Sequence, residues 1–409
     1  MSHLLTRILP YSSIRNVAIF YFQSACVGSF FCAAIWLFVW QRYLSLGEVG
    51  LVDWLAVIVA WFAEVPSGVL ADKFGRKWLV IMALVLSAAG IVMQGLSHTF
   101  TAFLLSNILY MVGFSFHSGA GEALVYESLP SDNQLGGATR EHAYERVVAA
   151  SNFIQLITHV VSILLGTLAY NVMGDAAPFL LQGGFYAIGA LVGLWAIESV
   201  PEDKRVYRTS IRQTIIDSVK SVKFITRELF PVAIITFAAL GLYDMCAWSF
   251  MRTAIATKFG FNHEGYAIII NLGIIGAAIC VRLLPKIRAM LGDLCGFPGV
   301  GIFLGVLFLL CAFNLGSAGA VALALIIMIG NLLKPWSLVI VNKNISDDHR
   351  ATVISLFSFI TRAQFLLLGA LVPYLAQRGY LDVSLFWLGT FAVVASIGAW
   401  MMGRNKVAI

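Results

Sequence analysis

Five ionisable side chains interrupt long apolar stretches of this chain: Asp53, Glu64, Asp244, Lys334 and Arg362. A charge in an apolar segment is costly, so such residues pair, bind an ion or pass a proton. Asp53 and Glu64 are eleven residues apart, which at about 3.6 residues per turn puts them nearly on one helical face. Desolvation raises a carboxyl pKa, so Glu64 is a candidate proton site; the alternative is a structural hydrogen-bonding group. Asp53 lies near the end of its apolar stretch and is expected to be solvated, with ion pairing as the second possibility. Arg362 could pair with a carboxylate such as Glu64 or Glu122. Lys334 precedes Pro335 and either meets a substrate or reaches for the interface with its long side chain. Asp244 is the leading candidate for a coupling or substrate group. The sequence holds no catalytic constellation, no H-x-x-x-H pair and no G-x-x-x-x-G-K-[ST] loop. It therefore predicts neither an enzyme nor a cofactor nor a metal site. The six cysteines lie in or near apolar runs without a C-x-x-C pair and are expected to be small buried hydrophobes.

The elements that hold these residues follow from composition. The 409 residues are 60% hydrophobic and 12% charged, with a mean hydropathy of +0.87. A soluble domain is roughly a quarter charged, so the bilayer must be the solvent. A helical span needs about 20 mostly apolar residues, and the alternation of a transmembrane barrel is missing. Twelve spans are expected, at 16–40, 49–70, 78–97, 101–121, 147–171, 179–198, 230–250, 265–283, 297–314, 318–341, 351–376 and 383–402. The long hydrophilic stretch after the sixth divides the chain into a bundle over 1–198, a basic amphipathic linker over 199–229 and a bundle over 230–409. The run from Val17 to Trp40 is too long for a cleaved leader and reads as a retained first span. With both termini in the cytoplasm, 21 of the 27 Lys and Arg residues fall on that side, as the positive-inside rule requires. The basic residues sit in loops, which argues against nucleic acid as a partner. An internal repeat supports the division. Arg146-x-x-x-x-Ser151 and Gly166 in the fifth span match Arg350-x-x-x-x-Ser355 and Gly369 in the eleventh. The fold class is thus an all-α polytopic membrane protein, twelve helices in two pseudo-symmetric six-helix bundles.

Gly68-Val-Leu-Ala-Asp72-Lys-Phe-Gly75-Arg76-Lys77 resembles the G-x-x-x-D-x-x-G-R-K signature between spans two and three of the major facilitator superfamily. The preceding Glu64-x-Pro66-Ser67 resembles one bacterial subgroup of it, as does Ser118-Gly-Ala-Gly-Glu-Ala-Leu-Val-Tyr-Glu-Ser128. The resemblance implies that Asp72, Arg76 and their partners form a latch against the start of span eleven near Arg350 when the cytoplasmic side is closed. It also implies that spans one, four, seven and ten line a path. On them lie Gln23; Asn107, Tyr110 and His117; Tyr243, Asp244 and Trp248; and Asn331 and Lys334. Leu109 stands where some proton-coupled members have arginine, span five has no Gly-Pro pair, and the second-half copy of the hairpin near Arg282 to Arg288 lacks the Asp and the Gly-Arg pair. The implied activity is secondary active transport by alternating access. It would be proton-coupled export of a small organic or drug-like molecule from a monomer in the cell membrane, whose partners are the bilayer, the substrate and protons. The alternatives are a lipid or lysolipid flippase and a receptor or assembly protein that has kept the fold.

Overall fold

The computed structural model describes residues 9–130, 139–198, 229–344 and 350–407. The side chains of 64–69, 72–73, 118–119, 350–356, 358 and 404–407 lie outside the description. Glu64, Gly68, Asp72, Arg350 and the rest of the eleventh-span repeat up to Ser355 are therefore placed on their helices only, and the basic linker over 199–228 falls outside the described residues. Among those described, nine helices are long and apolar enough to cross a membrane, and Ala177–Gly193 is a shorter apolar one. The chain divides into two compact units, residues 1–43 with 55–208, and residues 44–54 with 209–409.

The first unit contains α1 (Arg15–Val27), α2 (Trp36–Trp40), most of α3 (Leu46–Phe74), α4 (Arg76–Leu96), α5 (Phe100–Ser128), α6 (Arg140–Met173) and α7 (Ala177–Gly193). Thr99 and Thr139 cap α5 and α6 by accepting from the amides of Ala102 and His142. Leu79, Val80, Ala83 and Leu84 of α4 are buried with Phe116 and Ala120 of α5 and Ala190 of α7. The contact between α4 and α5 is so close that a Cβ on Gly90 would lie 2.4 Å from the Tyr110 amide nitrogen. Small residues permit such backbone approach in a bilayer, where there is no hydrophobic force between helices.

The unbroken span expected over 16–40 is interrupted between Val27 and Trp36. Other helices supply the polar partners that the break requires. The Phe30 amide donates to Ser162 Oγ at 2.9 Å and the Cys32 amide to Gln182 Oε1 at 3.3 Å. Non-helical backbone survives at membrane depth only where protein satisfies it in this way. The turn between α3 and α4 is the single residue Gly75, at φ 95°, a conformation that costs glycine little.

The second unit begins with the first turns of α3. Asp53, expected to be solvated, is 6% exposed. The first turns of α3 are covered by a later helix: Gly50 lies flush against Pro373, and Trp54 Nε1 donates to the Leu366 carbonyl at 2.7 Å. There follow α8 (Phe230–Ile235), a π-helical turn (Thr236–Leu240), α9 (Gly241–Trp248), α10 (Met251–Lys258), α11 (His263–Cys311), α12 (Gly319–Lys343), α13 (Arg350–Leu368), α14 (Leu371–Gln377) and α15 (Leu381–Val407). At about 1.5 Å per residue, the 49 residues of α11 would span about two and a half times the hydrocarbon core. Gly292, at φ 68° and ψ 159°, breaks it into two limbs. Cys280 is half-buried and Cys295 exposed, unlike the other four cysteines. The expectation of burial fails for these two, since an apolar run in a membrane chain can present a small side chain to lipid as readily as to protein.

The break at Gly292 also corrects the reading of the second-half hairpin. Its turn glycine lies past Arg288, and the residue after it is acidic. Asp293 accepts from Arg288 Nε and Nη2 at 2.8 and 2.6 Å, from Trp336 Nε1 at 2.9 Å and from Lys343 Nζ at 3.3 Å. In the first unit, the residue after Gly75 is Arg76, and it pairs with Glu127 near the end of α5 at 2.6 Å. Each turn thus binds the end of a later helix, with the signs exchanged. The Arg288 hydrogen bonds hold the Asp293 carboxyl down to about 2. A carboxyl depressed in the folded state contributes stability that is complete above its ordinary titration range and is lost as pH falls through the folded value. We expect Asp293→Asn to lower the thermal midpoint of the purified protein near neutral pH. The difference from the parent should shrink as pH falls from ~4 towards ~2; an unchanged midpoint at neutral pH would remove the cluster from the fold's stability.

Candidate functional site

Four elements of the second unit converge on one recess. It is lined by Thr236 and Leu240 of the π turn, Asp244 of α9, Lys334, Ser337 and Leu338 of α12, and Phe357, Thr361 and Arg362 of α13. Asp244 is half-buried, and Lys334 and Arg362 are the charges that act on it. Three of the five ionisable residues singled out from apolar sequence are thereby brought together. The recess has a volume of about 40 Å³, room for about three waters and far less than a pocket for a whole ligand.

Local sequence explains the convergence. A π turn inserts a residue into the helical register and often marks a functional site. Here the Gly241 amide donates to the Thr236 carbonyl, five residues back. Gly241 brings α13 close, since a Cβ there would lie 3.0 Å from the Thr361 carbonyl. Gly330 does the same for α12: a Cβ would overlap the Tyr243 ring, which packs on the bare glycine. Asn331 Nδ2 then donates to Tyr243 Oη at 2.6 Å. One glycine on each side of the Tyr243-Asp244 pair seats the neighbouring helices that carry the two cations.

Three hydroxyls line the recess, and they differ. Thr361 donates to the Phe357 carbonyl at 2.9 Å and Ser337 to the Lys334 carbonyl at 2.8 Å, both on their own helices. Thr236 is 1% exposed, and its Oγ1 has no hydrogen-bond partner among the described residues. Leaving such a group unsatisfied costs about 1–3 kcal/mol. Sequence inspection gave no reason to single out Thr236, because a π turn has no residue signature, nor Ser337 or Thr361, because a hydroxyl in an apolar helix most often donates to its own backbone.

The other candidates lie elsewhere. Trp248 is 56% exposed and is not among the residues lining the recess. In the first unit, Gln23 donates to the Gly189 carbonyl at 3.2 Å, and Asn107 accepts from Gln94 at 3.1 Å. Tyr110 stacks on Tyr186 with ring centroids 6.4 Å apart. His117 Nε2 is buried without a hydrogen-bond partner among the described residues. Glu122 accepts from the Tyr144 hydroxyl at 3.0 Å. Among the described residues no group of three or more His, Cys, Asp or Glu could hold a metal ion.

The hairpin residues that are described are engaged within the first unit. Besides the Arg76–Glu127 pair, Lys77 Nζ donates to the Leu194 carbonyl at 2.9 Å. The amides of Arg76 and Lys77, which open α4 and so lack helical partners, donate to the Glu198 carboxylate at 3.2 and 3.1 Å. A carboxylate at a helix N-terminus is stabilising. The sequence pattern did not mark Glu198, which reads simply as the polar end of the sixth span.

The fold is that of a polytopic helical membrane protein with ionisable groups gathered inside its apolar helices. Residues 17–365 match the Major Facilitator Superfamily, and the chain belongs to it: it is a multi-pass membrane protein and a transporter, not an enzyme. Similar solved structures include the nucleoside transporter NupG, at 16% identity and a TM-score of 0.72, covering 96% of this chain and 99% of that one. The POT family transporter PepTSo matches at 12% identity and 0.71, covering 96% and 98%. A POT family transporter in complex with 5-aminolevulinic acid matches at 11% and 0.70, covering 96% of each. At these identities the likeness is one of fold.

Reversing the Arg76–Glu127 pair tests its part in the first unit. Arg76→Glu should lower the yield of folded protein and the thermal midpoint, and adding Glu127→Arg should restore much of both. No restoration by the double variant would show that the pair does not act as a pair.

Proposed function

We propose that the chain is a secondary active transporter of a small organic molecule, coupled to protons through Asp244 and working by alternating access. In this reading twelve spans form two six-helix bundles over 1–198 and 230–409, with the linker 199–229 and both termini on the cytoplasmic face of the cell membrane. Asp72 and Arg350 belong to a cytoplasmic latch. The placement of 21 of 27 basic residues on one side supports the orientation. The family resemblance implies export, and the sign of the measured flux reads the direction.

One observation carries the coupling: a carboxyl inside an apolar helical segment faces two cations across a recess that can hold water. A group placed so can exchange a proton as its cations are drawn away or returned. Asp244→Asn is expected to abolish flux driven by a pH gradient in reconstituted vesicles, while the protein still inserts and folds. Normal gradient-driven flux by that variant across pH would remove Asp244 from the mechanism.

A further inference from the structure

We infer that the recess of the second unit holds an anionic oxygen head group of the cargo, a carboxylate or a phosphate. Lys334 is its principal contact, Arg362 adds a guanidinium, and the Thr236 hydroxyl is the third donor. The inference rests on the transporter reading above and names the chemical class its substrate must have.

Size, charge and hydrogen bonding each point to this head group. A volume of about 40 Å³ admits a few atoms and no more, so what enters is a functional group with the body of the molecule left outside. Among the described residues the lining carries one carboxyl and two cations. A cationic head would meet Lys334 and Arg362 on two sides, with Asp244 the one carboxyl among the described lining residues to offset them. A neutral amide can accept from a cation through its carbonyl but brings no charge to offset the pair. An anion accepts from both, and the planar fork of arginine suits carboxylate and phosphate geometry. Thr236 adds an independent sign. The other two hydroxyls donate to their own helices, whereas this one, buried and lining the same recess, has no acceptor among the described residues. A head-group oxygen supplies one.

Asp244 then acquires a second task. From α9 it faces Lys334 on α12 and Arg362 on α13, and these three are the charged groups that line the recess among the described residues. An ionised Asp244 competes with the incoming anion for the same cations. A proton on Asp244 removes the competitor, so protonation of Asp244 favours loading of the anion.

The test uses the full chain in lipid nanodiscs and matched probes: benzoate, phenyl phosphate, benzamide and benzylamine. Benzoate or phenyl phosphate should raise the thermal midpoint, and whichever does so identifies the head group; benzamide and benzylamine should not. Lys334→Gln should weaken that binding about tenfold, and Lys334→Arg should keep it, which guards against a variant that merely folds poorly. Thr236→Val should weaken it less. Binding should tighten with falling pH in the parent and be tight and independent of pH in Asp244→Asn. The inference is overturned if benzamide or benzylamine stabilises as well as the anions, if no probe binds, or if Lys334→Gln binds the anion unchanged. Gradient-driven flux of a cationic or neutral compound would leave the transporter reading standing and remove this one. Anion binding without flux under any gradient would do the reverse.

Discussion

Backbone amides and carbonyls inside a bilayer have no water to bond to, and most of the irregular features of this chain answer that constraint. Where α1 stops at Val27, side chains of α6 and α7 reach the free amides. Where α4 starts at Arg76, the Glu198 carboxylate accepts from two of its opening amides. The π turn keeps its backbone bonded, five residues back, while it shifts the helical face. The sharpest reversals, Gly75 and Gly292, fall beside charged clusters outside the apolar runs.

Charge placement follows from the same low dielectric. A lone carboxylate within an apolar helix is expensive, so the helices nearest Asp244 bring cations to it. That proximity is set by residues with no side chain. Gly241 and Gly330 let α13 and α12 approach, and the Tyr243–Asn331 hydrogen bond fixes one of those contacts. The site is thus a consequence of close helix packing, and its small volume and mixed charge come from the same contacts.

The two units solve the turn between neighbouring helices alike. A left-handed glycine ends one helix, and the next residue carries a charge that reaches the end of the helix that follows its own. The charge is basic in one unit and acidic in the other. What the geometry preserves is an ion pair at that place; either sign order serves, provided both partners change. Sign-sensitive motif reading therefore found the first hairpin and missed the second.

Composition and periodicity were enough to assign helices to a bilayer, because hydrocarbon admits so few structures. The glycine and charge spacing from Gly68 to Lys77 carried the family. Asp244, Lys334 and Arg362 stood out because a charge in an apolar run is conspicuous wherever it lies. Their common recess was not legible, since about ninety residues part Asp244 from Lys334 and nothing local says that their helices touch. Asp53 was misjudged because burial depends on a helix more than three hundred residues away. Thr236 carried no mark at all, for what sets it apart is a hydroxyl without a hydrogen-bond partner among the described residues. The sequence by itself determined which residues had to be protected from lipid, through their polarity. Only the tertiary structure decided which of them protect one another, because that depends on which backbones glycine allows to meet.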